Sequence, residues 1–179
     1  MNEKTIKVKV FKFKELSEDV QDKVIEDFSD ININYDWWDY LHDDFKEDLE
    51  EIGLKAETFY WSIDRDSHFY SPDIQVVDEK KFLKYAGWDL RSKQARDIID
   101  YDGLSIGVHH YGGGSAANFV EYDYLGNNEL TDVLRQKYED FLSLLSKQWD
   151  YLTSREAIEE TIIINEYDFL EDGSRSIYL

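Results

Sequence analysis

Leu130, Leu134, Tyr138, Phe141, Leu145, Trp149 and Leu152 recur at spacings of three and four and form the strongest periodic signal in the chain. That spacing puts all of them on one face of a helix, so the pattern predicts a helix of about six turns. Nearer the N-terminus, Leu16, Val20, Val24 and Phe28 recur every four residues, with Ser17 placed to cap the helix they define. Asp36 is suited to cap a second helix with the core stripe Trp38, Leu41, Phe45, Leu49 and Ile52, ended by Gly53. A short helix is expected from Asp78 through Phe82 and Leu83 to Gly87, and another from Asp89 to Asp100. Thr153 with Glu156 has the spacing of a capping box for a last helix through Ile158 and Ile162 to Asn165.

The period-two segments are shorter. Ile6, Val8 and Val10 alternate with Lys7 and Lys9, and the phase slips at Phe11 and Phe13, which predicts a strand with a bulge or a covered outer side. Lys55 to Ile63 reads as a strand with Phe59, Trp61 and Ile63 on one face, and Ile74 to Val77 as another. Leu104, Ile106 and Val108 pair in pattern with Val120, Tyr122 and Tyr124 across a Gly-rich loop, and Phe169 to Ile177 reads as a closing hairpin around Asp172-Gly173. Helices and strands follow without regular alternation. The expected class is therefore α+β: a single domain over residues 1–179, with antiparallel hairpins packed against several amphipathic helices.

Composition changes this picture little until charge is considered. An aromatic content of 16% argues for a packed fold despite a mean hydropathy of -0.62. The absence of cysteine excludes disulfides and thiolate metal ligands and suits a reducing compartment. No apolar leader and no stretch of about 18 apolar residues occurs, so the expectation is a cytoplasmic protein with no membrane association.

The net charge is -20, and it is unevenly placed. Between Glu15 and Glu51 there are 15 acids against Lys23 and Lys46, whereas Lys80 to Arg96 holds six bases and one acid. Such blocking argues against general adaptation to high salt, which would spread the acids over the whole surface. It points away from direct nucleic-acid binding and towards a basic partner. The second helix concentrates Asp36, Asp39, Asp43, Asp44, Glu47, Asp48, Glu50 and Glu51 against Lys46 alone. Its density, about one carboxylate per 3 Å of helix, is close to the spacing of charge along one DNA strand. Like-charged pairs four apart, such as Asp39/Asp43 and Glu47/Glu51, each cost the helix a few tenths of a kcal/mol. These acids, with the aromatic Trp37 and Tyr40 lying off the core stripe, are the candidate partner-binding residues. A solvated polar helix face is the competing explanation of the same run.

No catalytic constellation stands out, so a non-enzymatic protein without cofactor or metal is expected. The most enzyme-like stretch is His109, His110, Tyr111, Gly112, Gly113, Gly114 and Ser115, with Asn118 beyond it. Glycines there would let backbone N–H groups approach a small ligand or nucleotide, but the Lys-Ser/Thr of a phosphate loop is missing and Ser115 is not in a nucleophile elbow. A mobile hairpin tip with one histidine packed and the other exposed is the plainer reading. The basic residues Lys80, Lys81, Lys84, Arg91, Lys93 and Arg96 are expected to pair with the protein's own acids or with a second subunit, which leaves a homo-oligomer open.

Three stretches, Val10-Phe-Lys-Phe-Lys-Glu-Leu-Ser-Glu18 running on to Phe28, Tyr35-Asp-Trp-Trp38 through Leu54, and Tyr151-Leu-Thr-Ser-Arg-Glu-Ala-Ile158 through Gly173, resemble a group of small acidic proteins of unassigned function encoded by bacteriophages and prophages. The resemblance covers about half the chain and brings no catalytic residues with it. It implies a mobile-element setting, in which acidic proteins often counter host defences that act on nucleic acid. The leading expectation is a phage-type inhibitor, active in the host cytoplasm, that mimics DNA charge and binds a basic nucleic-acid-binding defence protein. The alternatives are a protein that sequesters a small molecule or nucleotide signal at 108–118, and a structural or regulatory phage protein whose acidity serves solubility.

Overall fold

Where the amphipathic pattern is long, the chain forms helices, and where it is short it forms small antiparallel strand pairs, which gives the expected α+β class. The computed structural model describes residues 8–63, 67–101, 103–111, 116–122, 125–126 and 128–176. It divides into two compact units, Met1–Trp37 with Gln148–Leu179, and Trp38–Lys147.

In the first unit, β1 (Phe11–Lys12) pairs antiparallel with β9 (Asp168–Phe169), Phe11 opposite Phe169. The N-terminal strand is thus shorter and later than expected: Val8 and Val10 are exposed and irregular, and Ile6 and Lys7 lie outside the described residues. The phase slip has a simple cause. The chain leaves the strand at Phe13, enters a 3-10 turn (Phe13–Glu15), and the Phe13 ring packs edge-on against Phe169 at 6.4 Å. Helix α1 (Glu18–Asp27) follows with Ser17 at its N-cap, although the Ser17 side chain makes no capping bond. Helix α6 (Arg155–Ile164) is capped by Ser154 rather than Thr153: the Ser154 hydroxyl accepts from Ala157 N at 3.2 Å, while Thr153 Oγ1 donates back to the Trp149 carbonyl. Phe13, Leu16, Val24, Ile158, Ile162 and Phe169 make the core. Gly173, at φ +84°, lets the last turn lie against Val20 and Val24 where a Cβ would crowd both, and among the described residues the closing hairpin reduces to one bridge, Phe169 to Arg175. Ile177 lies outside the described residues.

In the second unit, α2 (Asp39–Glu51) buries Leu41, Phe45 and Leu49 and ends at Gly53, whose φ of +84° only glycine adopts at little cost. The helix starts later than expected, with Trp38 at the N-cap and Asp36 outside it. The strand expected over 55–63 is two pieces. β2 (Leu54–Lys55) pairs with β5 (Gln75–Val76), and β3 (Tyr60–Ser62) pairs with β4 (His68–Tyr70). Between β2 and β3 the Asp73 carboxylate accepts from the backbone N–H of Glu57 and Thr58, which diverts the chain from a continuous ladder. Helix α3 (Glu79–Tyr85) is capped by Asp78, which accepts from Lys81 N at 3.0 Å, as expected. Helix α4 (Lys93–Tyr101) begins later than Asp89 because Ser92 Oγ takes the capping bond from Ala95 N.

The hairpin is present as β6 (Leu104–His110) and β7 (Ala116–Tyr122), joined by β8 (Leu125–Gly126) in the order β6-β7-β8. Its tip, Gly112 to Ser115, and Tyr124 lie outside the described residues. The long helix α5 (Asn128–Leu152) keeps the predicted stripe, burying Leu130, Leu134, Tyr138, Phe141 and Leu145, and its Thr131 hydroxyl accepts from Val120 N at 2.9 Å.

Candidate functional site

Helix α2 carries seven acids, and Asp39, Asp43, Asp44, Glu47, Asp48, Glu50 and Glu51 are all exposed. At 100° per residue, Asp39, Glu50, Asp43 and Glu47 fall within about 80° of arc, and Asp44, Asp48 and Glu51 extend the acidic half of the cylinder. Tyr40, 51% exposed, stands within that half. Two of the acids have ion-pair partners: Asp43 holds Lys46 at 3.1 Å and Asp48 holds Lys137 at 2.8 Å. For Asp39, Asp44, Glu47, Glu50 and Glu51 no ion pair is seen among the described residues. The last turn of α2 has no basic residue, so Glu47, Asp48, Glu50 and Glu51 gather at the end where the helix dipole is already negative.

The two remaining residues of the expected surface are placed differently. Asp36 is exposed but belongs to the first unit, outside the helix. Trp37 is a correction. It is 2% exposed and its ring packs against Trp149 at 5.8 Å, so it belongs to a core and offers no contact surface. Trp38, assigned to the core stripe from the sequence, is instead half-buried and packs edge-on against Trp61 at 5.5 Å. One residue of register separates the two readings.

The inner side of α2 is anchored by rings. Phe45 stacks on Phe141 of α5 with centroids 4.2 Å apart, and Phe59 and Phe69 close around it at 5.5 Å each. His42 joins this cluster, 5.3 Å from Phe59 and 5.8 Å from Phe141. Its Nε2 is buried without a hydrogen-bond partner among the described residues. Burial, then the nearby Lys46 charge, lowers the His42 pKa, and Asp39 and Asp43 oppose the shift only in part.

At the hairpin, the structure separates the residues that the sequence groups together. His109 and His110 are both exposed, against the expectation that one packs inside; His109 meets Tyr111 at 4.8 Å and His110 meets Tyr70 at 6.2 Å. Asn118 is a second correction. It is 7% exposed, and its amide is committed to structure: Oδ1 accepts from Ser71 N at 2.8 Å and from the Tyr138 hydroxyl at 3.0 Å, while Nδ2 donates to the Ser71 and Gly107 carbonyls. It ties the residue that follows β4 to β6, β7 and α5 and has no capacity left for a ligand. Gly112, Gly113, Gly114 and Ser115 lie outside the described residues. Tyr111 and Asn118 do border a cleft of about 350 Å³ that sequence reasoning missed, because its other walls come from β4 and α5.

In the basic block, Arg91 pairs with Asp89 at 3.1 Å. Hydrogen bonds from the Arg91 backbone and side chain hold the Asp89 carboxyl below its usual range. Among the described residues, no group of three or more His, Asp and Glu side chains is arranged to hold a metal, and no helix is long and apolar enough to cross a membrane. No family model matches this chain, and comparison with curated proteins and with solved structures gives no match. The class that fold and site define is therefore an α+β protein with a dense acidic helix face.

Proposed function

We propose that the protein acts by binding, without catalysis, and that α2 is its contact surface for a basic nucleic-acid-binding protein. One observation carries the reading: the acids crowd the C-terminal end of α2 with no base in its last turn. Like-charge neighbours and an unfavourable dipole together cost this helix on the order of 1 kcal/mol in the free protein. A cationic partner surface would turn that cost into binding energy. The exposed carboxylates follow one side of a rod about 20 Å long, which matches a groove built for a phosphate backbone. The resemblance to small acidic phage and prophage proteins of unassigned function suggests the setting, a phage-type inhibitor working in the host cytoplasm, in which such a mimic would act.

The test compares the protein with its Asp43→Lys, Glu47→Lys, Glu50→Lys triple variant as baits in host lysate, at low and high salt. Capture of a basic nucleic-acid-binding protein that is released by salt, lost in the variant and displaced by DNA is the expected result. Equal capture by a folded variant would overturn the proposal, since the α2 charges would then be dispensable.

A further inference from the structure

The cleft of about 350 Å³ in the second unit has a built wall on each side. Arg135, Tyr138, Glu139 and Leu142 of α5 are spaced i, i+3, i+4 and i+7, so one face of the helix lines it. Opposite, β7 borders it at Ala116, Ala117 and Asn118, and the small side chain of Ala116, on the same strand face as Asn118, leaves space that a larger residue would fill. Phe69 and Tyr111 add ring surface.

The chemistry of the walls restricts what fits. At the floor, the Tyr138 hydroxyl donates to Asn118, whose amide is fully used, so the interior asks for an apolar or aromatic body. Burial pushes the Tyr138 phenol well above its ordinary range, so the floor stays uncharged. At the rim, Arg135 and Glu139 are exposed one helical turn apart, a cation and an anion side by side. Asp132 occupies one N–H of Arg135, and among the described residues no other acceptor takes its remaining donors. A chain of net charge -20 repels phosphates. The volume lies at the lower end of small-molecule sites.

We propose that this cleft binds an uncharged planar heterocycle of nucleobase or nucleoside size, inserted edge-first between α5 and β7. Its acceptor edge takes hydrogen bonds from Arg135 and its N–H edge donates to Glu139, the pairing a guanine edge provides. This site is independent of the acidic α2 face, so either proposal can fail alone.

The probe is guanosine, followed by saturation-transfer NMR and calorimetry, with guanosine monophosphate and cytidine beside it. Guanosine is expected to bind, cytidine to bind about tenfold more weakly for its smaller ring, and the monophosphate to be weakened about tenfold by repulsion. Glu139→Gln, on an exposed helix position that leaves folding intact, should weaken guanosine about tenfold, and Ala116→Phe should fill the cleft and abolish binding. Leu142→Trp provides a second way to fill it if the Ala116 variant does not fold. Absence of guanosine binding at millimolar concentration, binding unchanged in the folded variants, or tighter binding of the monophosphate would each overturn the proposal.

Discussion

Asn118 shows what one side chain can hold. Its amide completes four hydrogen bonds at 7% exposure, to Ser71 just after β4 and to groups of β6 and α5. Asn118→Ala would leave the fully buried Ser71 backbone and the Tyr138 hydroxyl without partners, a loss of about 3 kcal/mol. Urea unfolding would measure it, and a loss below about 1 kcal/mol would mean that water replaces the amide. His42 gives the matching pH prediction. Its folded pKa lies below the unfolded 6.5, so the unfolded chain binds the extra proton. Stability is therefore complete above about pH 7 and falls as pH drops through 6.5 towards the folded value. His42→Phe should flatten the slope that sets in below about pH 7, as thermal melts would show; an unchanged slope would assign it to other groups. Neither role could be read from the sequence. Asn118 stands beside a Gly-rich run that suggests a ligand loop, and its real partners are 47 and 20 residues away. Trp37 and Trp38 are adjacent, and a one-residue error in where a helix begins exchanges the buried ring for the half-buried one.

At the scale of elements, periodicity decides what is legible. Helix α5, 25 residues long, repeats its apolar stripe from Leu130 to Leu152 and was readable almost to its ends, and Gly53, Asp78 and Gly87 mark boundaries the structure keeps. The strands β2 to β5 are two or three residues each, too short to show a period, and β3 and β4 depend on cross-strand rings such as Tyr60 on Tyr70 at 5.2 Å. The acidic run on α2 was visible in full, but its exposure and its two ion pairs needed coordinates. For this helix the expectation is counterintuitive. Replacing Glu50 and Glu51 by Lys relieves like-charge pairs and places cations at the C-terminal end, so the double variant should be more stable than the parent by about 0.5–1 kcal/mol. Denaturant midpoints would read the gain. A destabilised variant would show that these acids make contacts which support the fold.

The whole molecule holds 40 acids against 20 bases, so salt acts on two opposed quantities. Exposed ion pairs such as Lys46 with Asp43 and Arg155 with Asp22 lose strength as salt rises, but each contributes at most about 1 kcal/mol. Repulsion among the excess carboxylates loses strength too, and it is summed over many pairs separated by less than the low-salt screening length of about 30 Å. Going from about 10 mM to about 150 mM monovalent salt shortens that length to about 8 Å, so most of the long-range repulsion disappears while contacts at 3 Å survive. The net effect should be stabilising, with Tm rising by about 2–4 °C, the shift that about 1 kcal/mol makes in a chain of this length. Scanning calorimetry in sodium chloride measures it, and the same scan on the Asp43, Glu47, Glu50 lysine variant should give a smaller rise, because that variant has less repulsion to screen. A fall in Tm with salt would mean that the local pairs outweigh the collective charge. The acidity would then be compensated within the free protein, and the need for an external cation, on which the α2 proposal rests, would be gone.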